Sequence, residues 1–592
     1  MSDCPSFLGV ECRNRSVLAS GILGVTLCSL KKVLDAGAGI VTTKSIGPER
    51  RKGHRGPVLY DWGHGLINAV GLSNPGIDEF CAGFDRTETP FPMIVSIFGR
   101  KIGDFPSIAG KLEEFRFPFL ELNLSCPNVL DEFGAPFAFS EELTAKITKS
   151  VKDTSSKKLI VKLSPNAPNS VSVAQAAQRA GADALCVMNT LGPGMVIHTA
   201  AALPVLGNGV GGISGVAILP LTVKNVYELY DAVSIPIIGT GGITDTDSAL
   251  QMLMAGAQLY GIGSAVHFRG LGVFMEIEEG ISQFLYNNGF QSTEEIIGLA
   301  HRRGRPRFYK VPQEPLPLEP RKSDLFFLVL PVAEVLEGEV KTLFFEWKNS
   351  QKPRAGQFFM LWIPGEDQKP FSVSYFDGER IGFSVQERGG FSEALVRLRE
   401  GDSVGLLGPL GNGFDCTSYR KYLLVGGGIG LAPLLFAAGE LVRLGKKVTI
   451  FAGGKKSGSV RWGEALLDKA GYKEQLELLF CTEDGTCGSL GLITDHLQHV
   501  FESVRPDYVL LCGPELFMSK SLTIFKQCGV SGEACIERMM KCGIGICGSC
   551  CIDDSGDRVC MEGPVFSFEY LRESWEFGRY RRDESGSVTG ID

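Results

Sequence analysis

Eight short β-rich runs recur between residues 16 and 266, each separated from the next by a longer segment with helix-like stretches: VLASG, GIVTTKS, PMIVSIFG, FLELNLSCP, LIVKLSPN, ALCVMNT, PIIGTGG and LYGIGSA. Eight such units in one stretch fit an α/β fold of the (β/α)8 type, a TIM barrel, better than an open sheet. In that fold the working side chains lie at the C-terminal ends of the strands. The residues that end these runs are therefore the candidates.

At 592 residues the chain is too long for one ordinary core, and two to four domains are expected. Residues 302–321 are basic and carry Pro306, Pro312, Pro315, Pro317 and Pro320, which suits a semi-rigid linker. Alternating β-type runs follow to about Gly413. Next comes LLVGGGIGLAPLLFAAGELVRL, a strand, a glycine turn and a helix that open a nucleotide-binding α/β unit. The expected division is a barrel over 1–301, the linker over 302–321, a β-domain over 322–415, an α/β domain over 416–530, a cysteine-rich domain over 531–570 and a loose polar tail over 571–592.

The formal charge of −8 speaks against nucleic acid or an anionic membrane as partner, because neutralising phosphates takes an excess of Lys and Arg. Small-molecule chemistry is the better expectation. Five of the 17 cysteines fall between Cys542 and Cys560, which suggests a metal site in a reducing compartment rather than a disulfide framework. The apolar run over residues 17–30 is broken by Ser20, Gly21 and Gly24 and is too short for a membrane helix, so the expected location is cytoplasmic. A homo-oligomer is expected.

The fourth run ends in Asn123-Leu124-Ser125-Cys126-Pro127-Asn128, a cysteine between amides able to hold a planar polar ligand, with Pro127 stiffening the turn. Lys44 follows the second run and Lys162 lies inside the fifth. A lysine pointing into a barrel needs an anionic partner. That partner is either Glu121, in a purely structural pair, or a substrate carboxylate or the electron-rich edge of a reduced flavin. Gly239, Gly241 and Gly242 after the seventh run, with Gly261, Gly263 and Ser264 after the eighth, occupy the usual phosphate site of this fold.

Together these residues resemble the catalytic subunit of dihydroorotate dehydrogenase over nearly all of the first part of the chain. The Asn-x-Ser-Cys-Pro-Asn motif is matched without gaps. Asn68-Ala69-Val70-Gly71-Leu72, Val161-Lys162-Leu163-Ser164-Pro165-Asn166, Asn189-Thr190 and Gly211-Gly212-Ile213-Ser214-Gly215 also fit. The resemblance implies that Asn68, Gly71, Leu72, Asn123, Asn128, Asn189 and Thr190 contact dihydroorotate or orotate, with Lys44 near its carboxylate and the flavin. Cys126 would take the C5 proton, a role that a thiol with an ordinary pKa of about 8.5 can fill near neutrality. FMN would be held by Ser20, Gly21, Lys44, Lys162, Gly215, Gly241, Gly242, Gly263 and Ser264. The family's quinone-linked branch has serine in place of Cys126. Residues 129–134, Val-Leu-Asp-Glu-Phe-Gly, stand where a shorter glycine-rich flap is usual.

Cys542-x4-Cys547-x2-Cys550 followed by Cys560 has the plant-type spacing for a [2Fe–2S] cluster, with glycines 543, 545 and 548 letting the loop wrap it. Structural zinc more often uses two separated Cys-x2-Cys pairs. Cys551 reads as an unligated bystander. Lys369-Pro370-Phe371-Ser372, then Gly389-Gly390-Phe391-Ser392, resemble the FAD contacts of a ferredoxin-reductase-like β-barrel, although Lys369 stands where arginine is usual. Gly426-Gly427-Gly428-Ile429-Gly430 and Cys512-Gly513-Pro514 resemble the nicotinamide side of the same reductases. The resemblance implies NAD, while Lys455 and Lys456, with no acid beside them, leave NADP open.

The expected whole is a dihydroorotate dehydrogenase catalytic subunit fused to its electron-transfer subunit, carrying electrons from FMN through [2Fe–2S] and FAD to NAD. Two other readings stand beside it: a related pyrimidine reductase of the dihydropyrimidine dehydrogenase kind, and a non-catalytic electron-transfer protein.

Overall fold

The computed structural model describes residues 5–83, 91–124, 137–302, 308–312 and 327–591. All eight runs form strands: β1 (Ser16–Leu18), β2 (Ile40–Thr42), β3 (Met93–Ile97), β4 (Phe119–Asn123), β5 (Lys158–Lys162), β6 (Ala184–Val187), β7 (Ile237–Thr240) and β8 (Leu259–Ile262). They close into a parallel barrel, β8 pairing back to β1 through Gly261 opposite Val17. Nearly every strand residue is buried, since side chains facing inward meet the barrel core and those facing outward meet helices. The helices obey the matching pattern. In Glu141–Lys152 the buried residues are Thr144, Ile147, Thr148 and Val151, one stripe of a 3.6-residue period, and Ser140 caps the helix by accepting from the Leu143 N–H at 3.2 Å.

A hairpin of Ser6–Phe7 and Val10–Glu11 closes the N-terminal end of the barrel, with Phe7 packed on Phe119 at a ring distance of 5.5 Å. The opposite mouth is overhung by a four-stranded antiparallel sheet, in the order Leu191–Gly194, Gly211–Ser214, Leu66–Asn68, Leu59–Asp61. This sheet carries residues of two segments distant in sequence over one opening.

The region expected to be a β-barrel is two four-stranded antiparallel sheets sharing a core in which Phe359 packs on Phe383. Next in the chain is a seven-stranded sheet in the order Ser489–Leu490, Glu477–Thr482, Lys447–Gly454, Lys421–Gly427, Tyr508–Cys512, Gly532–Cys535, Val565–Ser567. All of its pairings are parallel except the last. The direction of winding reverses between Lys421–Gly427 and Tyr508–Cys512, which is where open α/β sheets bind ligands.

Two expectations need correction. The boundary placed at 530/531 falls inside this sheet, because Gly532–Cys535 and Val565–Ser567 are its edge strands and the cysteine-rich segment is an excursion between them. The tail is not loose: Tyr580–Arg582 pairs with Val588–Gly590, and Glu576, Ser585 and Ser587 are buried. Its polarity reflects charges that find partners rather than solvent. The linker expected over 302–321 lies mostly outside the described residues.

Candidate active site

A cavity of about 370 Å³ opens at the C-terminal end of the barrel. Every described barrel residue assigned above to substrate or FMN lines it, whereas Cys126 and Asn128 lie outside the described residues. Gly239, placed with the phosphate site from the sequence, does not line it, and a Cβ there would instead meet Met252 Cγ. Ser20 and Gly21 come from the end of β1, Lys44 from β2, Asn123 and Lys162 from β4 and β5, and Asn189 and Thr190 from β6. Asn68, Gly71 and Leu72 come down from the overhanging sheet with Gly215, while Gly241, Gly242, Gly263 and Ser264 form the far wall. Gly242 has φ +84°, and a Cβ there would meet the Leu219 backbone nitrogen at 2.7 Å, so only glycine suits this wall.

A chain of hydrogen bonds runs beneath the opening. Lys162 Nζ is 3.7 Å from Glu121 Oε1, and Ser96 Oγ donates to the same carboxylate at 2.8 Å. Ser96 and Ser45 hydroxyls are 2.9 Å apart, Asn123 Nδ2 donates to Ser45 Oγ at 2.9 Å, and Asn189 Nδ2 donates to Asn123 Oδ1 at 3.3 Å. Of the two partners weighed for Lys162, the structure supplies Glu121. Burial pulls the Lys162 ammonium down, and the Glu121 carboxylate more than offsets this, so the lysine stays above its ordinary range and charged. It remains on the cavity wall, so the pair does not remove it from contact with a ligand. Ser45 and Ser96 were not legible as site residues, because an isolated serine after a β-run carries no motif.

The same cavity is walled on one side by Ile546 and Cys547, from the cysteine-rich segment at the other end of the chain. Lys44 Nζ donates to the Cys547 carbonyl at 3.3 Å and to Ser73 Oγ at 3.4 Å, and the Leu23 N–H donates to the Ile546 carbonyl at 3.1 Å. Gly548, with φ +69°, approaches so closely that a Cβ would lie 3.2 Å from Leu23 Cα. On the loop's other side a Cβ on Gly543 would meet Met360 Cγ, in the antiparallel sheets, at 2.8 Å. The loop is thus held between the barrel mouth and the second module.

Cys542, Cys547, Cys550 and Cys560 are buried and free of disulfides. The Cys547 N–H donates to Cys542 Sγ at 3.5 Å. Among the described residues no three His, Cys, Asp or Glu side chains converge on one point as around a single ion. Cys551 is buried and forms a β-bridge to Arg558.

In the second module Lys369, Pro370, Phe371 and Ser372 lie on the strand Asp367–Ser372, next to the helix Gly390–Arg397 that carries Gly390 and Ser392, with Phe371 and Phe391 rings 6.3 Å apart. Lys369 is engaged by Asp367 at 3.4 Å and Glu584 at 3.6 Å. Gly426 and Gly428 sit where the sheet reverses its winding. There a Cβ on Gly430 would meet the Cys512 carbonyl at 2.6 Å, which brings the two glycine motifs together. Gly428 has φ +57° and open space beside it, a cradle that backbone N–H groups can offer to a phosphate.

Fold and site together define a redox-type (β/α)8 barrel whose mouth is capped, within one chain, by a four-thiol loop. Residues 4–285 match the family model for dihydroorotate dehydrogenase, and residues 537–572 match that for the iron–sulfur cluster binding domain of dihydroorotate dehydrogenase B. The chain is 40% identical over 296 residues to the dihydroorotate dehydrogenase B (NAD(+)) catalytic subunit of Methanothermobacter thermautotrophicus, covering 50% of this chain and 97% of that protein. It is 43% identical over 292 residues to the same subunit of Thermococcus kodakarensis, covering 49% and 96%. The chain belongs to the dihydroorotate dehydrogenase family. Among the described residues no helix is long and apolar enough to cross a membrane.

Proposed function

We propose that this chain oxidises dihydroorotate to orotate at an FMN in the barrel mouth and passes the electrons through a [2Fe–2S] cluster and an FAD to NAD. The observation that carries this reading is the wall shared by cavity and cluster loop: Ile546 and Cys547 line the space into which Lys44, Asn123 and Lys162 project. Substrate oxidation removes two electrons at once, whereas an iron–sulfur centre takes them singly; a flavin between the two supplies the conversion.

The chain's own residues would act as follows. Asn68, Asn123 and Asn189 orient the planar ring through amide hydrogen bonds, Asn123 being held by Ser45 and itself holding Asn189. Lys44 offers its ammonium to the substrate carboxylate. Cys126, assigned from its motif, would take the proton from C5, and a flavin held at this site would supply the two-electron acceptor for the hydrogen that leaves C6 with its bonding pair as the C5–C6 double bond forms. Gly241, Gly242, Gly263 and Ser264 receive the FMN phosphate on backbone N–H groups. Cys542, Cys547, Cys550 and Cys560 hold the two irons. Lys369 to Ser372 with Gly390 and Ser392 hold FAD, and Gly426 and Gly428 receive the nicotinamide dinucleotide.

Cofactor extraction followed by anaerobic titration with dihydroorotate tests the whole. The expected result is FMN, FAD and two irons per chain, all reducible by the substrate. Cys126→Ser should keep FMN but slow its reduction by about 10²- to 10⁴-fold, as loss of a general base does. Cys547→Ser should abolish NAD reduction by dihydroorotate while sparing FMN reduction. A cluster-free protein with both flavins that still reduced NAD at the normal rate would overturn the electron path.

A further inference from the structure

Residues 573–592 follow the segment matched by the iron–sulfur family model. In sequence they are merely polar, yet in the structure they tie three parts of the molecule together. Arg538, beside the cluster loop, is buried between Glu515 at 2.7 Å and Glu576 at 2.8 Å. Asp553, in the same lobe, takes Arg582 at 2.7 Å and the Tyr580 hydroxyl at 2.9 Å. From this base the hairpin of Tyr580–Arg582 and Val588–Gly590 reaches across to the barrel. There Arg50 pairs with Asp583 and donates to Ser585 Oγ at 3.0 Å, and the Val588 N–H donates to Glu79 Oε1 at 2.7 Å. Glu584 faces Lys369 of the second module at 3.6 Å.

The hairpin's turn also fills a seam. Ser585 and Gly586 line a narrow cleft with Gly24, Lys44 and Ser73 of the barrel and Ser549 of the cluster loop. Ser585 and Ser587 are buried despite sitting on a turn at the chain's end. Single exposed ion pairs contribute little to stability. Here the exposed pairs extend a buried Arg–Glu core, and the turn they hold, at Ser585 and Gly586, shares a cleft with Lys44 of the barrel and Ser549 of the cluster loop.

We propose that the C-terminal hairpin is a clamp that holds the cluster loop on the barrel mouth, fixing the distance from flavin to cluster and keeping water out of the seam. This rests on the electron path proposed above. Electron transfer falls steeply with distance, so loosening the clamp slows transfer between the two centres and leaves the chemistry at each end untouched. Arg50 and Asp583 are positioning residues in this scheme.

The test compares the full chain, a truncation after Arg579 that keeps Glu576 on Arg538, Asp583→Arg, and Asp583→Arg combined with Arg50→Asp. Three readouts are taken: single-turnover flavin reduction by dihydroorotate, NAD reduction by dihydroorotate, and hydrogen exchange in peptides containing Leu23 and Cys547. The truncation, which removes the clamp, and Asp583→Arg, which sets two guanidinium groups face to face, should retain cluster absorbance and flavin reduction, lose NAD reduction by about tenfold or more, and exchange faster in both peptides. The double charge swap should recover most of both signals. Unchanged turnover and unchanged exchange in the truncated, cluster-loaded protein would overturn the clamp. If the intact chain fails to reduce its flavin with dihydroorotate, the functional reading fails instead, and the exchange comparison still decides whether the hairpin clamps.

Discussion

Lys44 Nζ lies 3.3 Å from the carbonyl oxygen of Cys547, so a single ammonium touches the loop of clustered thiols and lines the barrel cavity, across 503 residues of sequence. Burial pushes this lysine below its ordinary pKa. A cation so placed has every reason to gain an anionic ligand, and the substrate carboxylate is the one the family reading provides. On the proposed reading, binding at the mouth and seating of the cluster loop would share this one side chain.

The pair of Lys162 and Glu121 gives a first prediction. Both side chains are nearly inaccessible, at 6% and 3% exposure. Glu121→Gln leaves a buried ammonium without its counter-charge and should cost about 3–5 kcal/mol of stability, the usual penalty for breaking such a pair. Urea unfolding of the purified protein measures it. Adding Lys162→Met should return much of the stability but weaken FMN retention, since the cavity wall then keeps only one of its two lysines, Lys44. Full retention of FMN by the double variant would make the lysine purely structural.

Ser45 supplies a second. Its hydroxyl accepts from Asn123 Nδ2, and Asn123 in turn accepts from Asn189. Ser45→Ala removes that acceptor from a buried amide, a loss of about 1–3 kcal/mol. The rotamer of Asn123 should relax, so KM for dihydroorotate should rise about tenfold or more, with FMN content unchanged. Steady-state kinetics on Ser45→Ala and on the more conservative Ser45→Thr separate lost orientation from lost space.

Much of this architecture was legible in the chain because its signals are local. Buried strands read as continuous apolar runs, and all eight barrel strands fall where those runs do. The glycines and amides of the mouth follow because strand ends and glycine turns can be read one segment at a time. What could not be read are contacts chosen by topology. Nothing near Cys547 says that its carbonyl meets Lys44, and nothing near Glu121 decides between Lys162 as a partner and a ligand. The tail misled for the same reason: Arg582 looks solvated until Asp553 is placed beside it. The boundary at 530/531 failed because Val565–Ser567, after the cysteines, returns to the nucleotide sheet.

A third prediction concerns the nicotinamide. Lys455 and Lys456 end the strand Lys447–Gly454 without an acid, but the Glu483 N–H donates to the Gly454 carbonyl at 3.1 Å and brings an acidic residue to the same place. Lys456 is itself occupied by Glu339 at 3.5 Å. Carboxylates near a strand end favour the ribose hydroxyls of NAD over a 2′-phosphate. The ratio of kcat/KM for NAD to that for NADP should exceed one, and Glu483→Lys should lower it. A preference for NADP that Lys455→Asp or Lys456→Asp reverses would point the other way.

The last prediction concerns pH and the seam between barrel and cluster lobe. Asp557, in the lobe, is paired with Lys32 on the barrel helix Leu27–Asp35 and accepts from the Tyr570 hydroxyl at 2.5 Å; Glu562 stands 4.0 Å from the same lysine. Burial alone would raise the Asp557 carboxyl, but hydrogen bonds from Lys32, Tyr570 and Ser555, with the Lys32 charge, hold it below its ordinary value of 3.8. A carboxyl lowered in the folded state contributes stability that is fully present above its unfolded pKa and is lost as pH falls through the folded one. The contribution should therefore be constant from neutrality down to about pH 4 and decline below it. Other carboxylates titrate in the same window, so the informative quantity is the difference between the chain and Asp557→Asn, in which they cancel. The urea midpoint of the variant should lie below that of the intact protein by a fixed amount at pH 5 to 7, with the gap closing as the medium becomes more acid. A gap that is already absent at neutrality would mean that Lys32 and Asp557 merely lie close together and do nothing to hold the cluster lobe on the barrel.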